Sequence, residues 1–492
     1  MNNPGLSPGE PPLIFSAMQR ETLRIAALLT VLALFTHLFL LNRKSYWVDE
    51  AYAAGLMQRP VSDVLDLSSR STPHPPGAFL LMRASAAAAG NSPAGVRLFN
   101  ALAVASGVVP IFLLSLRFLK DKKSSFLAAM TWVVSPYSVS LGQEAWVYGL
   151  PSALCLWFLQ FSAMQWKGRG WLPAVWFLTG LAGLYTQFSF FLTLVSGVLL
   201  MVLTRQMHRV QWIALLLLLI AWAPLVREHT PEMRVRSARL EAAGVTPATA
   251  PYRLAMNAPP AVAGLTADGL VPDLYATCSK DPWSAAALFS GLGLALVSLF
   301  ALILEKNSSV RLRIWALVSW ILPFSMFMVD SPGYRQVHLA VIPLTIGMGA
   351  AFRRFRPLAV IALILLTVLL AHWYSLDTNA WHRSDWRGAA AFVREHGRPD
   401  DRVMVHSGQS GGVAWDLSGG RPDRIALGGD EDPWNMDRNA LQPAMVADSI
   451  LARGERLWLV ADLWGPPPLP SGRTPEEDHG FGRDLRVYLF SP

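Results

Sequence analysis

Charge is scarce in this chain. Asp, Glu, Lys and Arg make up only 15% of its 492 residues, where soluble domains carry about 25%. The deficit argues against a soluble enzyme, and also against a nucleic-acid binder, which gathers its cations on one face. Cysteine is nearly missing. Cys155 lies in an apolar run and Cys278 in a polar loop, so a disulfide between them is not expected and neither has metal-site spacing. From Ser375 onward there is no lysine at all. That tail holds 13 Arg against 18 Asp plus Glu and is acidic, so the basic excess behind the chain's net +8 belongs to its first three quarters. No Walker A sequence occurs, which disfavours an ATP-driven pump.

Apolar and aromatic residues are abundant instead: 52% of the chain is hydrophobic, with 19 Trp and 23 Phe. A membrane-crossing helix needs about 20 mostly apolar residues. Eleven runs qualify: 23–42, 94–116, 124–141, 147–165, 171–187, 188–204, 210–226, 284–304, 312–330, 336–352 and 357–374. They predict a multi-spanning α-helical membrane protein of about 11 transmembrane helices. The first run follows "MQRETLR" and lacks a small-residue cleavage site, so it reads as an uncleaved helix. The fifth and sixth have no charged break between them.

The short loops supply an orientation. Arg117, Lys120, Lys122 and Lys123 follow the second run. Lys167 and Arg169 follow the fourth, Arg205 and Arg209 the sixth. Lys306, Arg311 and Arg313 follow the eighth, and Arg353, Arg354 and Arg356 the tenth. All fall on one side by parity, which the positive-inside rule makes cytoplasmic. The N-terminus shares that side. On the opposite side lie 43–93, 142–146, 227–283, 331–335 and everything after 374.

Residues 1–374 thus form a membrane domain, with 43–93 as first outer loop and 227–283 as large outer loop. In the first loop "YWVDEAYAAGLM" and "HPPGAFLLMRASAAAAG" suggest short helices lying in the interface. In the second, Arg227, Arg234, Arg236 and Arg239 suggest a basic helical face, most simply a solvated one. Residues 375–492 read as a small α/β domain outside the membrane. "SDWRGAAAFVREHG" has the caps of a helix, "RVMVH" is a buried strand, and "DRIALG", a helical stretch 438–453, "RLWLVADL" and "LRVYLF" continue the pattern.

One stretch carries chemistry. "RKSYWVDEAYAAG", residues 43–55, sets Asp49 beside Glu50 among aromatics where the chain leaves its first span. An acidic pair at that depth is costly unless it has work or partners.

Taken in order, several stretches resemble the membrane-embedded GT-C glycosyltransferases. They are most similar to the protein O-mannosyltransferase and lipid A aminoarabinose transferase branch, glycosyltransferase families 39 and 83. "YWVDEAYAAG" resembles the acidic first-loop motif, and "STPHPPGAFLLMRASAAAAGNSPAGVRLFNALAV" the HPP segment with its following helix. "SPYSVSLGQEAWVYGL", "GLYTQFSFFL", "SPGYRQVHLAVIPLTI" and "DWRGAAAFVREHGRPDDRVMVHSG" are similar to later segments of that branch. The 227–283 loop is unmatched. The resemblance implies inverting, single-displacement transfer of a sugar from a polyprenyl-phosphate carrier to an acceptor at the outer face of the cytoplasmic membrane. A lipid, glycan or protein acceptor and the bilayer are the implied partners; nucleic acid is not.

Within that expectation Asp49 is the general base that deprotonates the acceptor, and Glu50 its supporting partner. Arg335 or Arg97 is the cation that meets the departing phosphate. Glu144, Trp146, Tyr334, His74, Tyr46 and Tyr52 are candidate substrate-binding residues on the same side. Each has a plainer reading. The acids can cap an interfacial helix, the arginines can be snorkelling anchors, and Glu144 can pair with an arginine. His74 can shape its loop, and the aromatics can form an interfacial belt. Two residues depart from the pattern: Trp146 stands where the family has the arginine of QEAR, and Gln187 where it has a histidine after Tyr-Thr. No cofactor is implied, and a divalent metal at the acid pair stays open. The alternatives are a transporter or flippase, and a non-catalytic relative that binds a lipid-linked sugar.

Overall fold

The computed structural model describes residues 13–70, 74–166, 169–242, 249, 263, 282–328, 338–375, 384–406, 411–425, 443–462, 469–481 and 485–492. The chain is mostly helical. The first helices are α1 (Leu13–Leu38), α2 (Val48–Met57), α3 (Val61–Arg70), α4 (Gly77–Ala89), α5 (Pro93–Ser106), α6 (Val108–Leu119), α7 (Lys122–Val134) and α8 (Pro136–Gly142). They are followed by α9 (Gly149–Ala163), α10 (Leu172–Thr186), α11 (Phe190–Leu203), α12 (Arg209–Ala242), α13 (Pro282–Ile303) and α14 (Val310–Ile321). A 3₁₀ turn, Leu322–Met328, leads towards α15 (His338–Arg354) and α16 (Arg356–Ser375).

Every apolar run contains helix, although residues 39–42 of the first are turn, Leu322–Met328 of the ninth is the 3₁₀ segment, and 329–330 and 336–337 lie outside the described residues. Among the described residues, five segments are long and apolar enough to cross a membrane: Gln19–Leu38, Pro93–Leu119, Arg209–Pro231, Ala285–Ile303 and Arg356–Ser375. The shorter apolar helices are α4, α9, α10 and α11. Residue properties explain the boundaries. Ser92 caps α5 by accepting from the Gly95 N–H at 3.2 Å, with Pro93 in the first turn where no N–H is needed. Gln187 takes extended angles (φ −157°, ψ 126°) and separates α10 from α11 without any charged residue. The apolar α12 continues past Val226 as one helix to Ala242, carrying Pro224 and Pro231 within it. The expected basic face therefore begins as an extension of the preceding span.

The bundle is packed around large rings, among them Phe112, Trp132, Phe158, Trp176, Phe190 and Trp315. Small residues let backbones close: a Cβ on Gly347 of α15 would stand 2.4 Å from the Ser298 carbonyl oxygen of α13, and one on Gly349 2.5 Å from the Ser124 carbonyl oxygen of α7. The outward faces are bare and apolar, as Val31 and Phe35 on α1, Ile213 and Leu217 on α12, and Ile361 and Ile364 on α16 show. That pattern is the one expected of helices solvated by lipid.

The two ends of the bundle differ. At one end the basic loops meet: Lys122 pairs with Glu21, Arg353 donates to the Leu119 carbonyl at 3.1 Å and lies 3.6 Å from Glu305. At the other end the chain leaves α1. Gln143 donates to the carbonyls of His37 and Phe39 (3.0 and 2.7 Å). Lys44 donates to the Trp373 carbonyl at 2.9 Å and Arg43 to that of Tyr374 at 3.0 Å, so cations sit at the negative C-terminus of α16.

Beyond α16 the chain forms α17 (Trp386–His396), β1 (Arg402–His406), α18 (Gly411–Leu417), α19 (Pro443–Ala452), β2 (Leu457–Asp462), β3 (Glu477–Phe481) and β4 (Leu485–Phe490). The sheet order is β1-β2-β4-β3, with β1 and β2 parallel and the other pairs antiparallel. Side chains alternate by face, as the two-residue period of a strand requires. Met404, Leu457, Leu459, Tyr488 and Phe490 pack on α19. Val403, Val405, Trp458, Val460, Val487 and Leu489 face α17. That second face belongs to an apolar cluster that continues into Tyr46, Ala51, Leu56, Phe79 and Trp146. The layer under the sheet and the first-loop helices therefore share one core.

Candidate active site

Glu50 organises the acidic motif. Asp49 and Glu50 occupy the first turn of α2, where the helix dipole favours negative charge. Glu50 is wholly buried, and so is Arg97 of α5, 1% exposed. Arg97 donates from Nε to Glu50 Oε1 at 2.7 Å and from Nη2 to Oε2 at 2.8 Å, a two-pronged pair. Its Nη1 donates to the Leu41 and Lys44 carbonyls at 3.0 Å each, and Nη2 also to the Ser45 carbonyl at 3.2 Å. A guanidinium has five N–H donors, and all five are engaged here. In this arrangement Arg97 has no N–H left over for the phosphate that the sequence offered it as one option. Glu50 Oε1 additionally accepts from the Ala145 N–H at 2.8 Å, which ties α2 to the segment between α8 and α9.

That segment holds Glu144 and Trp146. Asn100, one turn after Arg97 on α5, donates to the carbonyls of both (2.7 and 2.8 Å). Glu144 is buried. Trp146 is 7% exposed and edge-packed against Tyr52 (5.8 Å between centroids), His74 (5.7 Å) and Phe79 (5.6 Å). His74 also meets Tyr148 edge-on at 5.8 Å. Its Nδ1 lies 3.1 Å from Gln187 Oε1, which accepts, so Nδ1 carries the proton. The two departures from the family pattern, Trp146 and Gln187, thus both contact His74.

Tyr46 is buried beside the Arg97 guanidinium, 5.5 Å from ring centre to Cζ, and donates its hydroxyl to the Asn91 carbonyl at 3.3 Å. Burial pushes its phenol up, against the pull of Arg97, so it stays protonated. Asp49 is partly exposed. The structure therefore brings Asp49, Glu50, Arg97, Glu144, Trp146, His74, Tyr46 and Tyr52 into one region. Arg335 and Tyr334 lie outside the described residues. Among the described residues, no three His, Cys, Asp or Glu side chains gather as metal ligands.

The sequence reading passed over three contributors. Asn100 is one, an amide on an apolar helix whose partners are backbone carbonyls more than 40 residues away, which a single sequence does not show. Ser45 is another: its carbonyl takes Arg97, and its Oγ accepts the Arg387 N–H of α17 at 3.2 Å. His229 of α12 is the third. It is 2% exposed and packs edge-on against Phe188 at 5.2 Å, one residue from Gln187.

Comparison with known proteins follows the same lines. A family model described as dolichyl-phosphate-mannose-protein mannosyltransferase matches residues 73–226, about a third of the chain. No curated protein matches by sequence. Among solved structures the chain is similar to ArnT from Cupriavidus metallidurans bound to undecaprenyl phosphate, with a TM-score of 0.54 at 11% identity over 94% of this chain and 97% of that one. For the apo state of ArnT the TM-score is 0.51 at 12% identity, over 96% and 98%. At such identity the likeness speaks for architecture, and it spans nearly the full length of both chains: this is a multi-pass membrane protein with the GT-C fold.

Proposed function

We propose that the chain is a membrane glycosyltransferase that moves a sugar from a polyprenyl-phosphate carrier to an acceptor hydroxyl or phosphate at the outer face of the cytoplasmic membrane. The observation that carries this reading is the fastening of Glu50. Held by Arg97 and the Ala145 N–H, it fixes the first turn of α2 and leaves its neighbour Asp49 partly exposed. The ArnT relative was solved with undecaprenyl phosphate, which supports a carrier of that type here.

In this reading Asp49 accepts the proton of the acceptor as its oxygen attacks the anomeric carbon. The bond from that carbon to the carrier phosphate oxygen breaks, and the phosphate leaves with the electron pair. Single displacement inverts the anomeric centre. Glu50 positions and does not take the proton, because both its oxygens are occupied. With Arg97 committed to Glu50, the phosphate falls in this reading to Arg335, whose neighbour in sequence is Tyr334. Trp146, His74 and Tyr52 present ring edges and faces for a sugar.

Mass spectrometry of polyprenyl-linked sugars and envelope glycans, with the gene deleted and then restored as wild type or Asp49→Asn, tests the proposal. Accumulation of one lipid-linked sugar and loss of one glycan modification on deletion, reversed by wild type alone, is expected. Uptake of labelled solute into vesicles without any sugar transfer would replace the enzyme by a transporter.

A further inference from the structure

We infer that the seam between α12 and the break joining α10 to α11 binds hydroxyl groups of the sugar that the lipid carrier bears, with His229 as the acceptor of their hydrogen bond. The inference rests on the donor reading above and adds a recognition site to it. His229 is 2% exposed. Its Nδ1 lies 3.0 Å from the Leu225 carbonyl, which can only accept, so Nδ1 bears the proton and Nε2 of the neutral ring presents a lone pair. Among the described residues that Nε2 has no hydrogen-bond partner.

Two further polar atoms on the seam share this condition. Trp222 Nε1, two turns before His229 on α12, and Ser189 Oγ are both buried and without a partner among the described residues. Ser189 lies between Phe188, which packs on His229, and Phe191, which stacks on Trp222 at 5.6 Å and 13°. Three unmet polar atoms on one helix contact are costly in a membrane, where no water compensates. They comprise a donor, an acceptor and a hydroxyl that is either. Sugar hydroxyls donate and accept, and so match all three. A phosphate diester only accepts, and would leave the His229 lone pair unmet.

The placement fits a lipid-borne substrate. Phe191 is 40% exposed on the lipid-facing side, whereas His229 lies beside Phe188, next to the Gln187–His74 contact of the candidate site. The seam thus leads from the bilayer side to the ring cluster around Trp146.

The test is binding to the full-length protein in nanodiscs. The probes are undecaprenyl phosphate, bare or carrying mannose, glucose or 4-amino-4-deoxyarabinose. Wild type is expected to bind one sugar-bearing carrier better than the bare one. His229→Phe, which keeps a ring edge against Phe188 but cannot accept, is expected to weaken that carrier about tenfold, the worth of one buried hydrogen bond, and to leave the bare carrier unchanged. His229→Gln, which can accept, should recover part of the loss, and Ser189→Ala should show the same selective weakening. Unchanged binding by His229→Phe, or equal weakening of bare and sugar-bearing carriers, overturns the inference. So does a wild type that prefers no sugar-bearing carrier, although the lipid-donor reading then stands. Failure of wild type to bind any carrier overturns the donor reading itself, and this inference with it.

Discussion

A single side chain, Glu50, ties three pieces of chain together, and its energetics are those of a buried ion pair. Removing one member of such a pair leaves the other charged and unmet, at a cost of about 3–5 kcal/mol. Glu50→Ala and Arg97→Ala are each expected to lower the unfolding temperature of the detergent-solubilised protein sharply. The double substitution should be less harmful than the sum of the two, since it removes both charges. Arg97→Lys should not rescue, because one ammonium cannot span two carboxylate oxygens and three carbonyls. Additive effects in that cycle would show that the pair is not a unit. Trp146→Ala is expected to cost about 3–5 kcal/mol by emptying the space among Tyr52, His74 and Phe79, measured the same way. At this scale the sequence disclosed the acids but not their use. The adjacency of Asp49 and Glu50 is visible in any reading, whereas the choice of Glu50 as brace depends on a residue 47 positions away. Periodicity says nothing about such a partner.

The element that carries the acids is braced from outside the bundle as well. A Cβ added to Gly55 of α2 would meet Val413 Cγ1 of α18 at 2.9 Å, so the glycine allows α18 to lie against α2. Nearby, Arg83 of α4 donates to the carbonyls of Met57 and Arg59 and holds the other end of α2. Gly55→Val is therefore expected to loosen α2, read as faster amide hydrogen exchange across residues 48–57, while α7 exchanges as before. Val413→Ala in the same chain should restore protection, because it vacates the space the valine needs. If the double variant exchanges as fast as the single one, the contact with α18 is not what steadies the helix. Long apolar runs made most elements readable, and α2 and α4 were expected as short helices. The amphipathic α3 and the charged edge strand β3 were not. In β3, "EDHGF" has none of the β-branched residues that mark strands, and it owes its place to pairing with β4.

At the scale of the whole molecule, polarity along the bundle is the organising fact. Lys122 and Arg353 close one end, while the candidate site, the first-loop helices and the four-stranded sheet share the other through a common apolar core. In the orientation we propose from the positive-inside rule, the site lies outside the cytoplasm. A membrane-impermeant maleimide should label Arg473→Cys in intact spheroplasts and Lys122→Cys only after lysis; the reverse pattern would invert the orientation. The sequence showed this polarity through its loop charges, but it did not show that residues 43–57 complete the core beneath the sheet, since that contact joins stretches more than 300 residues apart. The most direct measurement of the central claim is release of undecaprenyl phosphate from sugar-bearing carriers by protein in proteoliposomes supplied with an envelope-lipid extract. The account predicts release by wild type with inversion at the anomeric carbon, and loss of at least about a hundredfold in Asp49→Asn at unchanged thermal stability. Full turnover by Asp49→Asn would contradict it.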